Sequence, residues 1–343
     1  MNKKILYIEI STAHTEILNS FVDALLPEFE VCLLINEKSI SRVRPLSKKI
    51  KIMPLREQFY MKDILECKKK FVPGLILLNS AQGRRIRDLC LRLLFDKTPV
   101  IGIHHNAENL FKSFTQKIIH FKVKKYIVLA DFIRDFVKSK INTNRLEVES
   151  FYPVSYPQVE KIKIDSSFKY ILIPGVLEQD RRDYLGLIEM VKAADARLDS
   201  KLKFVLVGNS KNHDGPAIVK AIQRAGLVSR FILFDRYVED DILLAYVDNC
   251  LAIMPLIHPG TRWFDQYFET KISGAYTLAF AFTKPLLMDE VFTDKKEFKD
   301  YAQFYSVKNF ATSISKMSSV EKDPKFEFSA QKKKLLDFIR PTS

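Results

Sequence analysis

Glycine is scarce in this 343-residue chain, with ten in all, and there is a single tryptophan. That rules out a collagen-like or glycine-rich low-complexity chain. Cysteine is nearly as rare. Cys32, Cys67, Cys90 and Cys250 stand far apart, at no CxxC or metal-ligand spacing. A disulfide framework and a zinc site are therefore not expected, and reduced thiols in the cytoplasm are. No stretch is long and apolar enough to span a bilayer. The amino terminus pairs Lys3-Lys4 with an apolar run from Ile5 to Ile10, but the run is short and Glu9 interrupts it. It reads as a first buried strand rather than a signal segment.

What is present is a globular composition, 47% apolar and 28% charged, in a chain long enough for two domains. The formal net charge is +14, and it is unevenly placed. Residues 1–155 hold 27 Lys and Arg against 16 Asp and Glu; the remainder holds 28 against 25. A one-sided basic excess points to an anionic partner, whether nucleic acid, an acidic membrane surface or a phosphorylated lipid. Two segments carry it. Arg84-Arg85-Ile86-Arg87 leads into Leu89, Leu91, Leu93, Leu94 and Phe95. Lys112, Lys117, Lys122, Lys124 and Lys125 interleave with Phe111, Phe114, Ile118, Ile119 and Phe121. Apolar faces edged by cations suit helices lying on an anionic membrane, and equally suit ordinary amphipathic helices packed on a sheet.

Short apolar runs alternate with helical spacing throughout the first half: Ile5–Ile10, Val31–Ile35, Gly74–Leu78, Val100–Ile103 and Tyr126–Ala130, with a helix over Ile17–Leu26. Two prolines, Pro153 and Pro157, break the pattern. The alternation then restarts. Strands are expected at Tyr170–Ile173, Phe204–Val207, Phe231–Phe234, Leu251–Met254 and Pro285–Met288, and helices at Asp183–Arg197, Ala217–Ala225, Asp240–Tyr246 and Gly274–Phe282. This predicts an α/β protein of two Rossmann-like halves with parallel sheets: domain one over 1–155, domain two over 156–325, and a helix in 326–343 that packs back.

Ligands of open α/β sheets sit at the carboxyl ends of strands. Gly175 and Gly208 each end a strand there, where the missing side chain lets a ligand approach the backbone. Arg181 and Arg182 follow Gly175 and can grip a diphosphate or merely solvate a helix start. Glu269-Thr270-Lys271-Ile272-Ser273-Gly274 precedes an apolar helix. Ser273 and Gly274 fall at its N-cap, where free amides favour a phosphate, Lys271 adds charge, and Glu269 can accept from sugar hydroxyls. In the first half, Ser11-Thr12-Ala13-His14-Thr15 follows the first strand, and His104-His105 ends a later one. One of the two histidines is expected to orient a sugar or act as a base. Neighbouring histidines without a third ligand do not make a metal site.

The stretch from Ile171 to Met288 resembles the donor-binding domain of GT-B glycosyltransferases, especially the GT4-like group. The order matches: strand-Gly with a basic residue, strand-Val-Gly, a Phe-x-x-Tyr-Val segment, strand-Met-Pro, then Glu-x-Lys-x-Ser-Gly. The resemblance implies a GT-B fold with a nucleotide-sugar bound between the halves and no metal or other cofactor. It implies that Arg182, Arg181 and Lys271 hold the diphosphate with the amides of Ser273 and Gly274. It places Asp235, Arg236 and Tyr237 near the base, and Glu269 near the ribose or donor sugar. Many members carry a second glutamate; Thr277 stands there instead, so retention or inversion at the sugar stays open. The activity implied is transfer from a UDP- or GDP-sugar to a glycan or lipid-linked acceptor in bacterial surface polysaccharide synthesis, with the protein cytoplasmic or peripheral at the inner face of the membrane. A GT-B nucleotide-sugar epimerase is the alternative. A basic nucleic-acid-binding protein is a weaker one, since no such motif or array of stacking aromatics is present.

Overall fold

A computed structural model describes residues 2–26, 28–141, 145–157 and 162–340. Parts of the proline-rich junction and the end of the carboxyl-terminal segment lie outside these residues. The chain divides into two compact units. One comprises 1–157 with 269–272 and 324–343; the other comprises 158–268 with 273–323.

In the first unit seven strands are named in chain order: β1 (Lys4–Glu9), β2 (Glu30–Asn36), β3 (Lys51–Leu55), β4 (Leu75–Leu78), β5 (Val100–His104), β6 (Lys125–Val128) and β7 (Glu147–Ser150). They form one parallel sheet in the order β3-β2-β1-β4-β5-β6-β7. Residues Ile5 to Ile8 of β1 and the whole of β4 are buried. Strands covered on both faces lose the alternation of a half-exposed strand and read as continuous apolar runs. The carboxyl-terminal helix Phe328–Ile339 belongs to this unit, where Leu335, Leu336 and Ile339 join the core around Ile5, Phe21 and Phe151. Its buried Gln331 accepts the Tyr152 amide at 2.9 Å.

The second unit holds β8 (Lys169–Pro174), β9 (Leu202–Asn209), β10 (Phe231–Phe234), β11 (Ala252–Ile253), β12 (Leu286–Asp289) and β13 (Ala302–Tyr305). These pair in parallel as β10-β9-β8-β11-β12-β13. Its core gathers Ile171, Ile173, Leu206 and Ala252 from the strands with Tyr184, Leu187 and Val191 from the helix Tyr184–Ala194.

Both sheets thus reverse their strand order at β1/β4 and β8/β11, so each has a switch point at the carboxyl ends of its strands. Three strands went unread in the sequence: β3, β7 and β13. All three are edge strands. Edge strands bury less, so β3 carries Lys51 and Pro54, and β7 reads Glu-Val-Glu-Ser.

Candidate active site

In the second unit β8 is followed directly by Gly175, whose φ of 117° is closed to most side chains. The backbone turns there beside β9. A Cβ on Gly208 would stand 2.4 Å from the Gly175 carbonyl oxygen, so two bare backbones meet at this point. The guanidinium of Arg182 lies over Gly175, where an added Cβ would sit 2.7 Å from Nη2. Arg182 is only 9% exposed, and its Nε has no acceptor. Among the described residues no carboxylate pairs with it. The phenol of Tyr276, on the helix Gly274–Phe282, is fully buried, unpartnered, and feels the same charge. Burial pushes the phenol well above its usual range despite that nearby cation. A largely buried guanidinium with no carboxylate beside it among the described residues is costly to hold, and an anion bound there would offset that cost.

The neighbouring residues are fully committed. Arg181 is held by Glu178, Nε to Oε2 at 2.5 Å, with a half-exposed side chain. Asp183 caps the helix Tyr184–Ala194 by accepting the Gly186 amide at 2.9 Å and faces His258 Nδ1 at 2.8 Å. His258 Nε2 in turn meets the Tyr305 hydroxyl at 2.6 Å. The His258 hydrogen bond leads in holding the Asp183 carboxyl down at about 2. This Asp183–His258–Tyr305 chain fixes the turn that carries Arg182.

Ser273 is the N-cap of the helix Gly274–Phe282, its Oγ accepting the Ala275 amide at 3.3 Å and its carbonyl the Tyr276 amide at 3.0 Å. The cap therefore occupies most of its own amides, and Gly274, which is exposed, offers the N–H at the tip. Asp235, Arg236 and Tyr237 form an exposed turn after β10, with Asp235 accepting Lys211 Nζ at 3.0 Å.

In the first unit the polar groups converge at the carboxyl ends of β1, β4 and β5. Glu9, legible in the sequence only as an interruption, is fully buried. Oε1 accepts the amide and hydroxyl of Ser11 at 2.7 and 2.8 Å; Oε2 accepts Asn79 Nδ2 and Ser80 Oγ, both at 2.7 Å. Four donors saturate the carboxylate. Asn79 is the hub. Its Oδ1 accepts the Tyr7 hydroxyl at 2.6 Å, its Nδ2 also reaches the His14 carbonyl at 2.9 Å, and its own carbonyl meets His105 Nε2 at 2.7 Å. Nothing in the spacing signalled this network, although Asn79-Ser80 directly follows the apolar run of β4.

The two histidine-bearing segments come together. The rings of His14 and His105 stack with centroids 3.6 Å apart and planes 10° off parallel, and His14 holds a left-handed φ of 61°. His105 is buried, and burial first, then the neighbouring His14, lower its pKa well below 6.5. A neutral His105 facing a carbonyl must carry its proton on Nε2, which leaves Nδ1 as the basic nitrogen. His104 is buried more deeply, with Nδ1 3.2 Å from the Asn106 carbonyl, and burial lowers it to about 4. Lys271 also differs from its expected setting. Its backbone bridges Asn106, the Ala107 amide reaches the Thr270 carbonyl at 2.8 Å, and Thr270 Oγ1 meets Asn106 Oδ1 at 3.0 Å. Glu269 to Ile272 thereby belong to the first unit, and the Lys271 charge bears on His105. Glu269 itself is exposed. No group of three or more metal-ligating side chains occurs among the described residues.

No family model matches the sequence, and no curated protein matches it. Solved structures do. Anabaena HepE in complex with UDP and glucose is similar at a TM-score of 0.70 and 11% identity, over 98% of this chain and 99% of that one. A glycosyltransferase from Rickettsia africae ESF-5 is similar at 0.63 and 13%, over 98% and 94%. A UDP-GlcNAc 2-epimerase from Neisseria meningitidis bound to UDP-GlcNAc is similar at 0.58 and 14%, over 99% of both chains. Likeness of this extent at such low identity shows the fold, and the chain has the GT-B fold of two Rossmann-like domains.

Proposed function

We propose that the protein is a glycosyltransferase that moves a sugar from a UDP-linked donor to a glycan or lipid-linked acceptor. The observation that carries the reading is Arg182, a buried guanidinium without a counter-ion, lying over the bare backbone of Gly175 at the carboxyl end of β8. A diphosphate supplies the missing charge and accepts from Nε. Gly274 N–H adds a donor at a helix start, and Gly208 keeps the approach open. Arg181 joins once its pairing with Glu178 yields. The turn of Asp235, Arg236 and Tyr237 receives the base, and Glu269 accepts from donor hydroxyls. UDP is preferred over GDP because HepE was solved with UDP and the epimerase with UDP-GlcNAc.

As the donor's anomeric carbon–oxygen bond breaks, negative charge grows on the departing diphosphate, and these preorganised donors stabilise it. Protein cations neutralise the leaving group without a metal. His105 Nδ1 takes the proton of the acceptor hydroxyl, its ring fixed by the Asn79 carbonyl and the His14 face.

The second reading, a nucleotide-sugar epimerase, draws on the equally extensive likeness to such an enzyme. The two separate on one experiment: UDP release from UDP-glucose and UDP-N-acetylglucosamine, with and without a bacterial lipid extract as acceptor source. Acceptor-dependent UDP release supports transfer. Consumption of UDP-N-acetylglucosamine without acceptor or UDP release supports epimerisation and overturns transfer.

A further inference from the structure

The helices Arg84–Arg92 and Phe114–Lys122 satisfy the core of the first unit with their inward residues: Ile86, Leu89 and Cys90 on one, Gln116 and Ile119 on the other, all buried. Their outward sides carry a surplus of apolar side chains. Phe95 is 96% exposed, Phe114 78% and Phe121 69%; Leu91 and Leu94 add to them. Phe114 and Phe121 are seven residues apart, hence on one side of their helix. The helices pack on one another. Lys122 Nζ donates to the Asp96 carbonyl, which holds the turn bearing Phe95 against the end of the second helix.

Cations flank these side chains in the chain. Arg92, Lys97, Lys117 and Lys124 are exposed and have no carboxylate partner among the described residues. Nearby acids are already engaged: Asp88 by Arg87 at 2.7 Å, Asp96 by Lys68 at 2.6 Å. Protruding phenylalanines flanked in the chain by lysine and arginine that lack a carboxylate partner among the described residues fit neither a core nor a plain solvated surface. We propose that this face docks onto an anionic lipid bilayer, with Phe95, Phe114 and Phe121 entering the headgroup–acyl boundary and the four cations meeting lipid phosphates. No described helix is long and apolar enough to cross a membrane, so the contact is interfacial. The proposal concerns partitioning, not turnover, and stands or falls separately from the transferase reading.

The test is co-sedimentation of the full chain with vesicles of phosphatidylcholine alone or mixed with phosphatidylglycerol, at low and high salt. The wild type is expected on the mixed vesicles, released by salt, and absent from phosphatidylcholine alone. Phe95→Ser, Phe114→Ser and Phe121→Ser together are expected to lower partitioning at least about tenfold. Lys97→Glu with Lys124→Glu, both at exposed positions, should abolish the anionic preference and decides the matter if the triple variant fails to fold. Absence of the wild type from mixed vesicles, equal binding to both lipids, or wild-type binding by either variant overturns the proposal. So does a dimer that the phenylalanine substitutions dissociate in a chain that ignores vesicles.

Discussion

Replacing Arg182 with methionine separates a residue kept for stability from one kept for a ligand. Methionine preserves the length and apolar stem of the side chain and removes the charge. In the free protein Arg182 is 9% exposed, its Nε lacks an acceptor, and among the described residues no carboxylate offsets it. Removing such a charge recovers a desolvation cost and an unmade charged hydrogen bond, so Arg182→Met should leave the free protein unchanged or more stable by about 1–3 kcal/mol. At roughly 2–4 °C per kcal/mol for a domain of this size, the melting temperature rises by several degrees. The nucleotide arm goes the other way. Losing charge-assisted bonds to a diphosphate costs about 2–4 kcal/mol, or roughly 30- to 1,000-fold in Kd. Denaturant unfolding without ligand and calorimetric titration with UDP read the two arms independently. A variant more than about 1 kcal/mol less stable than wild type, with UDP affinity within about threefold, would refute the reasoning.

Gly175→Ala should weaken UDP binding by about tenfold or more, because a Cβ there meets both an unfavourable φ and the Arg182 guanidinium; thermal shift against UDP measures it. Acid stability follows from His104. Its folded pKa is depressed from 6.5 to about 4, so its contribution is complete above 6.5 and is lost as pH falls toward 4. That amounts to about 3 kcal/mol, and His104→Asn, neutral throughout, should lessen the fall in stability over this window by about that amount in denaturant titrations, leaving the share of His105. His105→Gln should lower kcat by about 100- to 10,000-fold with little change in UDP affinity. Since His105 is held neutral well below 6.5, the wild-type kcat should show no limb near pH 6.5, and a limb there would contradict its assignment as the base.

The buried strands were legible because a strand covered on both faces is apolar along its buried run, as β4 is throughout and as Ile5–Ile8 of β1 and Phe204–Val207 of β9 are. The edge strands β3, β7 and β13 were not, because an edge tolerates Pro54, Glu147 and Gln303. Candidate site residues at strand ends were visible for the same reason: Gly175 and Gly208 each follow an apolar run, and His104 ends one. What no local pattern showed was long-range pairing. The His14 ring finds His105 across 91 positions, and Asn79 finds Glu9 across 70. The antiparallel bridge between Asn106 and Lys271 moves a residue read as part of the second domain into the first. Burial of Arg182 is likewise a tertiary fact; Arg181 and Arg182 are equivalent in the sequence, and only the structure gives one a carboxylate and the other none among the described residues.

The central claim is that the second unit binds a nucleoside diphosphate through Arg182. Isothermal titration of the wild-type chain with UDP, uridine and inorganic phosphate in parallel tests it most directly. Saturable one-site binding of UDP is expected, with much weaker binding of uridine and phosphate and a heat signal that Arg182→Met removes. No UDP heat in the wild type, or a UDP isotherm that Arg182→Met leaves intact, would contradict it.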